Sequence, residues 1–151
     1  MELKIANKEK TVVEGMEEIK NFLMDPTTEQ TELPLKHSFA PGVYARELEI
    51  PAGTLLIGKI HKHRHHNFLM KGSILVLTET NGVELLQAPL TIVSEEGTQR
   101  IGYAITDTLW TTVHENKDNS EDIDAIEERT VVNTKTKYLE YQKKLIKNIT
   151  I

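Results

Sequence analysis

Short runs of apolar and β-branched residues, each ended by a turn signal, fill residues 43–114 of this chain. The turn signals contain glycine, proline, asparagine or aspartate: Pro51-Ala52-Gly53, Lys71-Gly72, Asn81-Gly82, Glu96-Gly97 and Thr106-Asp107. Several short strands with regular turns are typical of a β-sandwich or β-barrel. The clearest hairpin is predicted at Asn81-Gly82, because both residues tolerate the positive φ of a tight two-residue turn.

Helices are predicted on both sides of this β region. Apolar residues recur at helical spacing across residues 13–24, and Asp25-Pro26 closes that segment. Near the other end of the chain, Tyr138, Tyr141 and Leu145 stand at i, i+3 and i+7 and predict a final helix. Residues 115–124 are polar and acidic, which predicts an exposed, mobile loop that leaves the barrel.

The length of 151 residues suits one domain with one hydrophobic core. We divide the chain into an N-terminal helix and linker over residues 1–34, a β-barrel over 35–116, and an acidic loop with a C-terminal helix over 117–151. The predicted fold class is therefore all-β, with one helix at each end.

Charge and composition exclude several classes of function. A net charge of −5 argues against binding to a nucleic acid polymer or an anionic membrane, because both need a basic face. The N-terminus lacks the apolar core of a signal peptide, and no apolar run approaches the roughly 20 residues of a membrane span. We therefore expect a cytoplasmic protein. The chain has no cysteine, so a bound metal must use histidine, carboxylate or amide ligands.

Four of the six histidines lie together in the segment HKHRHH, at positions 61–66. In a strand, side chains alternate between faces, which places His61 and His63 on one face. Two imidazoles two residues apart converge on one ion, and neutral imidazole nitrogen suits Zn, Fe, Ni, Mn or Cu. The alternative is a solvated strand end whose histidines bind nothing. The pattern does not assign His65 and His66 to either the site or its rim.

Two longer segments around these histidines resemble the two signature motifs of the cupin superfamily. They are PAGTLLIGKIHKHRHHNFLMKG and APLTIVSEEGTQRIGYAI. The matching positions are Gly58, His61, His63 and Gly72 in the first motif and Gly97 in the second. The resemblance implies an RmlC-like cupin barrel, which is a double-stranded β-helix or jelly roll, and pairing of two chains into a homodimer.

Three positions depart from these motifs. Asn67 stands where metal-binding cupins have a glutamate, Glu95 replaces the proline of the second motif, and Arg100 replaces its histidine. An amide is a weak, neutral ligand, and a permanently charged arginine repels a cation. The standard set of four metal ligands is therefore incomplete.

His114 offers a third ligand. It ends the run TLWTTVH on the face that also carries Trp110. If that face looks inward, His61, His63 and His114 form a three-histidine site for Fe, Mn, Ni or Zn. Otherwise His114 is a strand-end histidine beside the acidic loop.

A pocket without a metal is the alternative. Lys59 and Arg100 would take a phosphate or carboxylate, Asn67 would bind an amide edge, and Tyr103 and Trp110 would stack on a nucleotide-like ligand. Each residue also has an ordinary interpretation, as solvated charge for the basic residues and as core packing for the aromatic ones.

The runs FAPGVYARELEIPAG, DTLWTTVH and DIDAIEE are similar to small cupin-like proteins of bacteriophages and prophages. His37 precedes the first of these runs. The functional hypothesis makes His37 a general base or a phosphate contact in the pocket. The alternative is that it begins a strand.

The sequence supports two functions almost equally. One is a metal-dependent enzyme of lyase, isomerase, dioxygenase or hydrolase type, acting on a small polar or phosphorylated molecule. The other is a non-catalytic binder that sequesters an anionic, nucleotide-like ligand, as a phage accessory or anti-defence protein in the host cytoplasm. A third interpretation is a structural module that dimerises through the terminal helix and an exposed sheet edge.

Overall fold

In the computed structural model, which describes residues 11–149, the chain forms three helices and eleven strands. The helices are α1 (Val12–Met24), α2 (Ile123–Thr130) and α3 (Lys135–Ile149). The strands are β1 (Leu35–Ala40), β2 (Gly42–Ile50), β3 (Leu55–Ile57), β4 (Ile60–His61), β5 (His65–Lys71), β6 (Ser73–Thr78), β7 (Gly82–Gln87), β8 (Leu90–Ser94), β9 (Ile101–Ala104), β10 (Thr108–Asn116) and β11 (Val131–Val132). Residues 1–10 and 150–151 of the predicted terminal segments lie outside the described residues.

Two antiparallel sheets make up the barrel. The five-stranded sheet has the order β1-β2-β10-β5-β8, and the four-stranded sheet has the order β3-β9-β6-β7. The two-residue strands β4 and β11 pair with each other. This arrangement confirms the predicted all-β class with flanking helices.

The core contains inward-facing side chains from both sheets, because side chains alternate along each strand. In β6 the pattern is regular, and Ile74 and Val76 are buried between exposed or half-buried neighbours. They contact Ile50, Leu69 and Ala104, each of which is at most 2% exposed. This core fills one end of the barrel interior.

The hairpin predicted at Asn81-Gly82 is confirmed, but its turn differs. Thr78 of β6 pairs with Gly82 of β7, so the loop between them contains three residues instead of two. Only Gly82 adopts a positive φ, of 65°. A three-residue loop followed by a left-handed glycine is the next most common hairpin connection.

Gly72 joins β5 to β6 at a φ of 89°. A Cβ atom at this position would collide with the carbonyl oxygen of Asp107. Glycine is therefore required at this corner, both for its backbone conformation and for lack of space.

The two predicted terminal helices are confirmed as α1 and α3. The N-cap of helix α1 is Thr11, whose hydroxyl accepts a hydrogen bond from the Glu14 amide at 3.2 Å, and its C-cap is Asp25, directly before Pro26. Among residues 11–149, no helix is both long and apolar enough to cross a membrane.

The prediction of one exposed loop over residues 115–124 is wrong in part. Strand β10 extends to Asn116, which is 1% exposed, and helix α2 begins at residue 123 with Asp122 as its N-cap. Arg129 donates hydrogen bonds to Asn116 and Asp118, both at 2.9 Å. These contacts fold the segment back onto the barrel, and Ile126 of α2 is fully buried.

Candidate metal centre and ligand cavity

Three histidines converge at one end of the barrel interior. His61, His65 and His114 each offer a ring nitrogen, and these nitrogens all lie within 4.8 Å of one another. The ring of His61 lies 4.0 Å from that of His65 and 5.1 Å from that of His114, measured between centroids. His65 and His114 are 4.8 Å apart by the same measure. We call these three residues the histidine triad.

Three strands position the triad. His61 ends β4, His65 begins β5, and His114 lies near the end of β10. Strand β5 pairs with β10 with Val113 opposite His66, so that the next positions along the two strands bring His65 and His114 side by side. Of the two alternatives left open for His114, the structure shows the inward orientation.

His63 is not part of the triad, which corrects its assignment as a metal ligand. The prediction assumed one continuous strand, but β4 ends at His61 and the chain bends over residues 62–64 before β5 begins. This break changes which residues face inward. His65 takes the inward position, and His63 is exposed with its ring 6.4 Å from that of Tyr141.

The hydrogen bond of His65 defines its tautomer. Its Nδ1 lies 2.9 Å from the carbonyl oxygen of His63, which only a protonated Nδ1 can satisfy. Nε2 therefore carries the lone pair of the neutral ring. His66, by contrast, is exposed and stacks on Phe68 at 6.0 Å.

The triad is neutral at physiological pH. Burial, together with the electrostatic effects of His65 and His114, lowers the pKa of His61 to about 2. Burial likewise lowers the pKa of His114 to about 3, and it lowers the pKa of His65. Neutral imidazoles are the form that binds metal ions.

The chemistry of the triad fits a divalent transition metal. Nδ1 of His61 is buried and has no hydrogen-bond partner among the described residues. Such a nitrogen is costly to bury unless a ligand satisfies it. Nitrogens on one metal ion stand about 3–3.5 Å apart, given Zn–N bonds of about 2.0–2.1 Å.

Asn67 supports the site and is fully hydrogen-bonded. Its Oδ1 accepts from Trp110 Nε1 at 3.1 Å and from Thr112 Oγ1 at 2.8 Å. Its Nδ2 donates to Ser94 Oγ at 2.6 Å and makes a longer contact of 3.4 Å with His65 Nε2. Both lone pairs of Oδ1 and one N–H are used, so only the N–H that faces His65 Nε2 is left for the ligand contact predicted from the sequence. Its role in this structure is to position neighbouring side chains.

A cavity lies beside the triad. His61 and His114 line it, and His65 lies behind them. The space open to a water-sized molecule is about 120 Å³. A single water molecule needs roughly 10–15 Å³ by this measure, so the cavity has room for a small ligand.

The charged groups at the cavity include one that the sequence analysis missed. Lys59, Arg100 and Trp110 all line the cavity, and so does Arg46. Arg46 alternates with apolar residues on β2, in the run Tyr44, Arg46, Leu48 and Ile50. That alternation was visible in the sequence and would have placed a charged residue on the inward face.

Two other predicted site residues lie elsewhere. Gly102 of β9 lines the cavity, and side chains alternate along a strand, so the neighbouring Tyr103 lies on the outer face, where it is 43% exposed. This corrects its assignment to a ligand pocket. His37 lies on β1 and contacts the cavity through Tyr44, whose hydroxyl oxygen lies 2.6 Å from His37 Nδ1.

Comparison with known proteins identifies the fold. No protein-family model matches the chain, and no curated protein does. A double-stranded β-helix protein from Klebsiella pneumoniae superposes with a TM-score of 0.50 at 10% identity, over 62% of this chain and 84% of that one. An RmlC-like cupin from Methanocaldococcus jannaschii gives 0.48 at 10% identity, over 60% and 86%. KdgF from Halomonas sp. gives 0.49 at 16% identity, over 62% and 86%.

These likenesses concern the fold alone. Together with the two facing antiparallel sheets, the likeness to the Klebsiella pneumoniae protein confirms the predicted double-stranded β-helix fold of the cupin type. It assigns neither a substrate nor a reaction.

Proposed function

We propose that this chain, a double-stranded β-helix of the cupin type, binds one divalent metal ion with the histidine triad and is an enzyme for a small polar molecule. The observation that carries the proposal is the convergence of three neutral ring nitrogens within 4.8 Å at the wall of a cavity. Such a nitrogen set suits Fe, Mn, Ni and Zn. When bound, the ion would supply a Lewis acid for a substrate oxygen or a water molecule.

Proton transfer is assigned to Tyr44, with His37 behind it. Burial raises the pKa of Tyr44, so the phenol keeps its proton at neutral pH. In the tautomer with Nδ1 of His37 unprotonated, the Tyr44 hydroxyl donates to that nitrogen across 2.6 Å. The phenol oxygen can then accept a proton from a substrate hydroxyl while its own proton passes to His37. His37 is a positioning and relay residue in this proposal.

Metal content tests the proposal directly. We expect purified, untagged protein incubated with Zn, Mn, Fe or Ni and then desalted to retain about one equivalent of one of these metals. His65→Ala and His114→Ala should each lose at least about 90% of it, because two nitrogens bind far more weakly than three. Elemental analysis measures the stoichiometry.

Two exposed histidines provide matched controls. His63→Ala and His66→Ala remove neighbouring side chains outside the triad and should retain the full equivalent. A full equivalent in His65→Ala would contradict the site, and so would a wild-type protein that retains no metal under any loading condition.

Binding without turnover is the second candidate function. It is favoured by the scarcity of acid–base groups: among the described residues, Glu127 is the only carboxylate that lines the cavity. Glu127 is already paired with Lys59 at 3.1 Å. A small anionic ligand recovered chemically intact after prolonged incubation with metal-loaded protein supports a binder, and its conversion supports the enzyme.

The remaining expectations rest on the resemblance described above. We propose a homodimer, and we propose that the chain serves as an accessory protein in the host cytoplasm during phage infection. Exposed apolar side chains on β1 support the homodimer, and its test is given in the Discussion.

A further inference from the structure

We propose that Arg46 and Arg100 form an oxyanion-binding site in the cavity, which holds a phosphate or carboxylate group of the small molecule bound there. The inference rests on the cavity of the proposed function and names the chemical class of its ligand. It assigns to Arg46 a function that the motifs around the histidines do not suggest.

The two arginines approach the cavity from opposite walls. Arg46 lies on β2 of the five-stranded sheet, opposite Thr112 on β10. Arg100 directly precedes β9 of the four-stranded sheet, and its carbonyl oxygen accepts a hydrogen bond from the Gly58 amide at 2.9 Å. Both side chains line the same cavity as His61 and His114. A ligand between the walls would therefore meet both guanidinium groups.

Neither guanidinium group forms an ion pair within the described part of the chain. Nε of Arg46 is buried without a hydrogen-bond partner. Arg100 lies over the ring of Trp110, with its guanidinium carbon 5.8 Å from the ring centroid. Burial lowers the pKa of Arg100, yet arginine keeps its charge at neutral pH. Both side chains are partly buried, and holding such charges there without an anion is unfavourable.

The other charged groups at the cavity do not neutralise the two arginines. Lys59 and Glu127 neutralise each other as an ion pair, with nitrogen and oxygen 3.1 Å apart. Glu84 acts on Arg100 from an exposed position on β7, at a distance that forms no ion pair. The neutral histidines add no negative charge. Phosphate and carboxylate groups accept paired hydrogen bonds from guanidinium groups, so they are the partners that this cavity lacks.

Titration with simple anions tests the inference. Metal-free protein is titrated with inorganic phosphate and, separately, with acetate, while the fluorescence of Trp110 is recorded. This is the only tryptophan of the chain, and it contacts Arg100. We expect saturable binding of at least one anion, and the stronger of the two identifies the group. Arg46→Met and Arg100→Met should each weaken binding about tenfold or more, because each loses a charge-assisted hydrogen bond.

Arg64→Met is the matched control, because it removes the same charge from a side chain that is 68% exposed. It should bind the anions as the wild type does. The melting temperatures separate a binding role from a structural one. Loss of an unpaired buried charge should leave the melting temperature unchanged or raise it. A lower melting temperature in both cavity variants, or wild-type affinity in both, overturns the inference.

Metal content measured on the same samples separates the two proposals. The arginine variants should retain the metal of the wild type, because neither residue is a ligand. If the wild type binds an anion through the arginines but never a metal, the proposed metal centre fails and this inference stands. If it binds metal but neither anion, this inference fails and the metal centre stands.

Discussion

At the scale of single residues, Asn67 shows why the site lacks the acidic ligand of metal-binding cupins. Its amide donates to Ser94 and contacts His65 while accepting from Trp110 and Thr112. An ionised carboxylate cannot donate, so it would leave His65 Nε2 without this partner, whereas the Ser94 hydroxyl could turn and donate to it. The carboxylate would also place a negative charge in the cavity. The amide thus fixes the side chains and leaves the two arginines free for an external anion.

The neutral triad makes the metal-free protein sensitive to acid. His61 and His114 have pKa values of about 2 and about 3 in the folded state, because burial disfavours the charged ring. In the unfolded chain, histidine titrates near pH 6.5. The stabilisation is therefore complete above about pH 6.5 and decreases as the pH falls, because only the unfolded chain then takes up protons.

We expect the free energy of unfolding to fall by about 1.4 kcal/mol per pH unit for each of these histidines below that pH. Urea unfolding at pH 7, 6 and 5 measures it. His114→Asn should reduce the pH dependence, whereas His66→Asn removes an exposed ring and should not. Equal pH dependence in both variants would show that the triad is not neutral in the folded protein.

At the scale of elements, local patterns predicted the strands but not where each one breaks. The alternation of apolar residues and the turn residues predicted the β region, the hairpin after β6 and the helices α1 and α3 correctly. Residues 62–64 contain no glycine or proline, so the sequence did not predict the bend there. Because alternation depends on an unbroken strand, this one bend moved the inward position from His63 to His65. His61 and His114, which lie outside the bend, do lie close together in the structure.

Helix α2 could not be predicted because its stability comes from tertiary contacts. It has eight residues, fewer than an isolated helix needs in water. Its surroundings are strongly polar in sequence, and its one fully buried hydrophobic residue is Ile126, at 0% exposure. Ile126, Glu127 and Thr130 all line the cavity. The segment that looked like an exposed loop therefore covers part of the ligand site.

Shortening the Ile126 side chain should lower the stability of the whole domain. Ile126→Ala removes a fully buried side chain, and we expect the free energy of unfolding to fall by about 2–5 kcal/mol. Ile105→Ala, at a side chain that is 46% exposed, should cost far less. Urea unfolding compares the two. Equal losses would indicate that α2 is not packed on the barrel in solution.

At the scale of the whole molecule, the two sheets present different edges for association. Strand β1 lies at one end of the five-stranded sheet, with Leu35 and Phe39 exposed by 41% and 37%. Strand β7 lies at one end of the four-stranded sheet, with Leu85 exposed by 52%. An unpaired apolar edge is a template for another strand. The expectation from the sequence that two copies pair through strands near the N-terminus makes β1 the edge that we propose.

Sedimentation velocity on matched variants decides between these edges. If two copies associate through β1, the wild type sediments as a dimer and Leu35→Lys shifts it to the monomer, because a buried lysine at the contact is unfavourable. Leu85→Lys makes the same change on β7 and should remain dimeric. The reverse result would place the interface on β7, and a monomeric wild type at micromolar concentration would exclude the homodimer. Since the triad and both arginines belong to one barrel, metal and anion binding should survive in the monomeric variant.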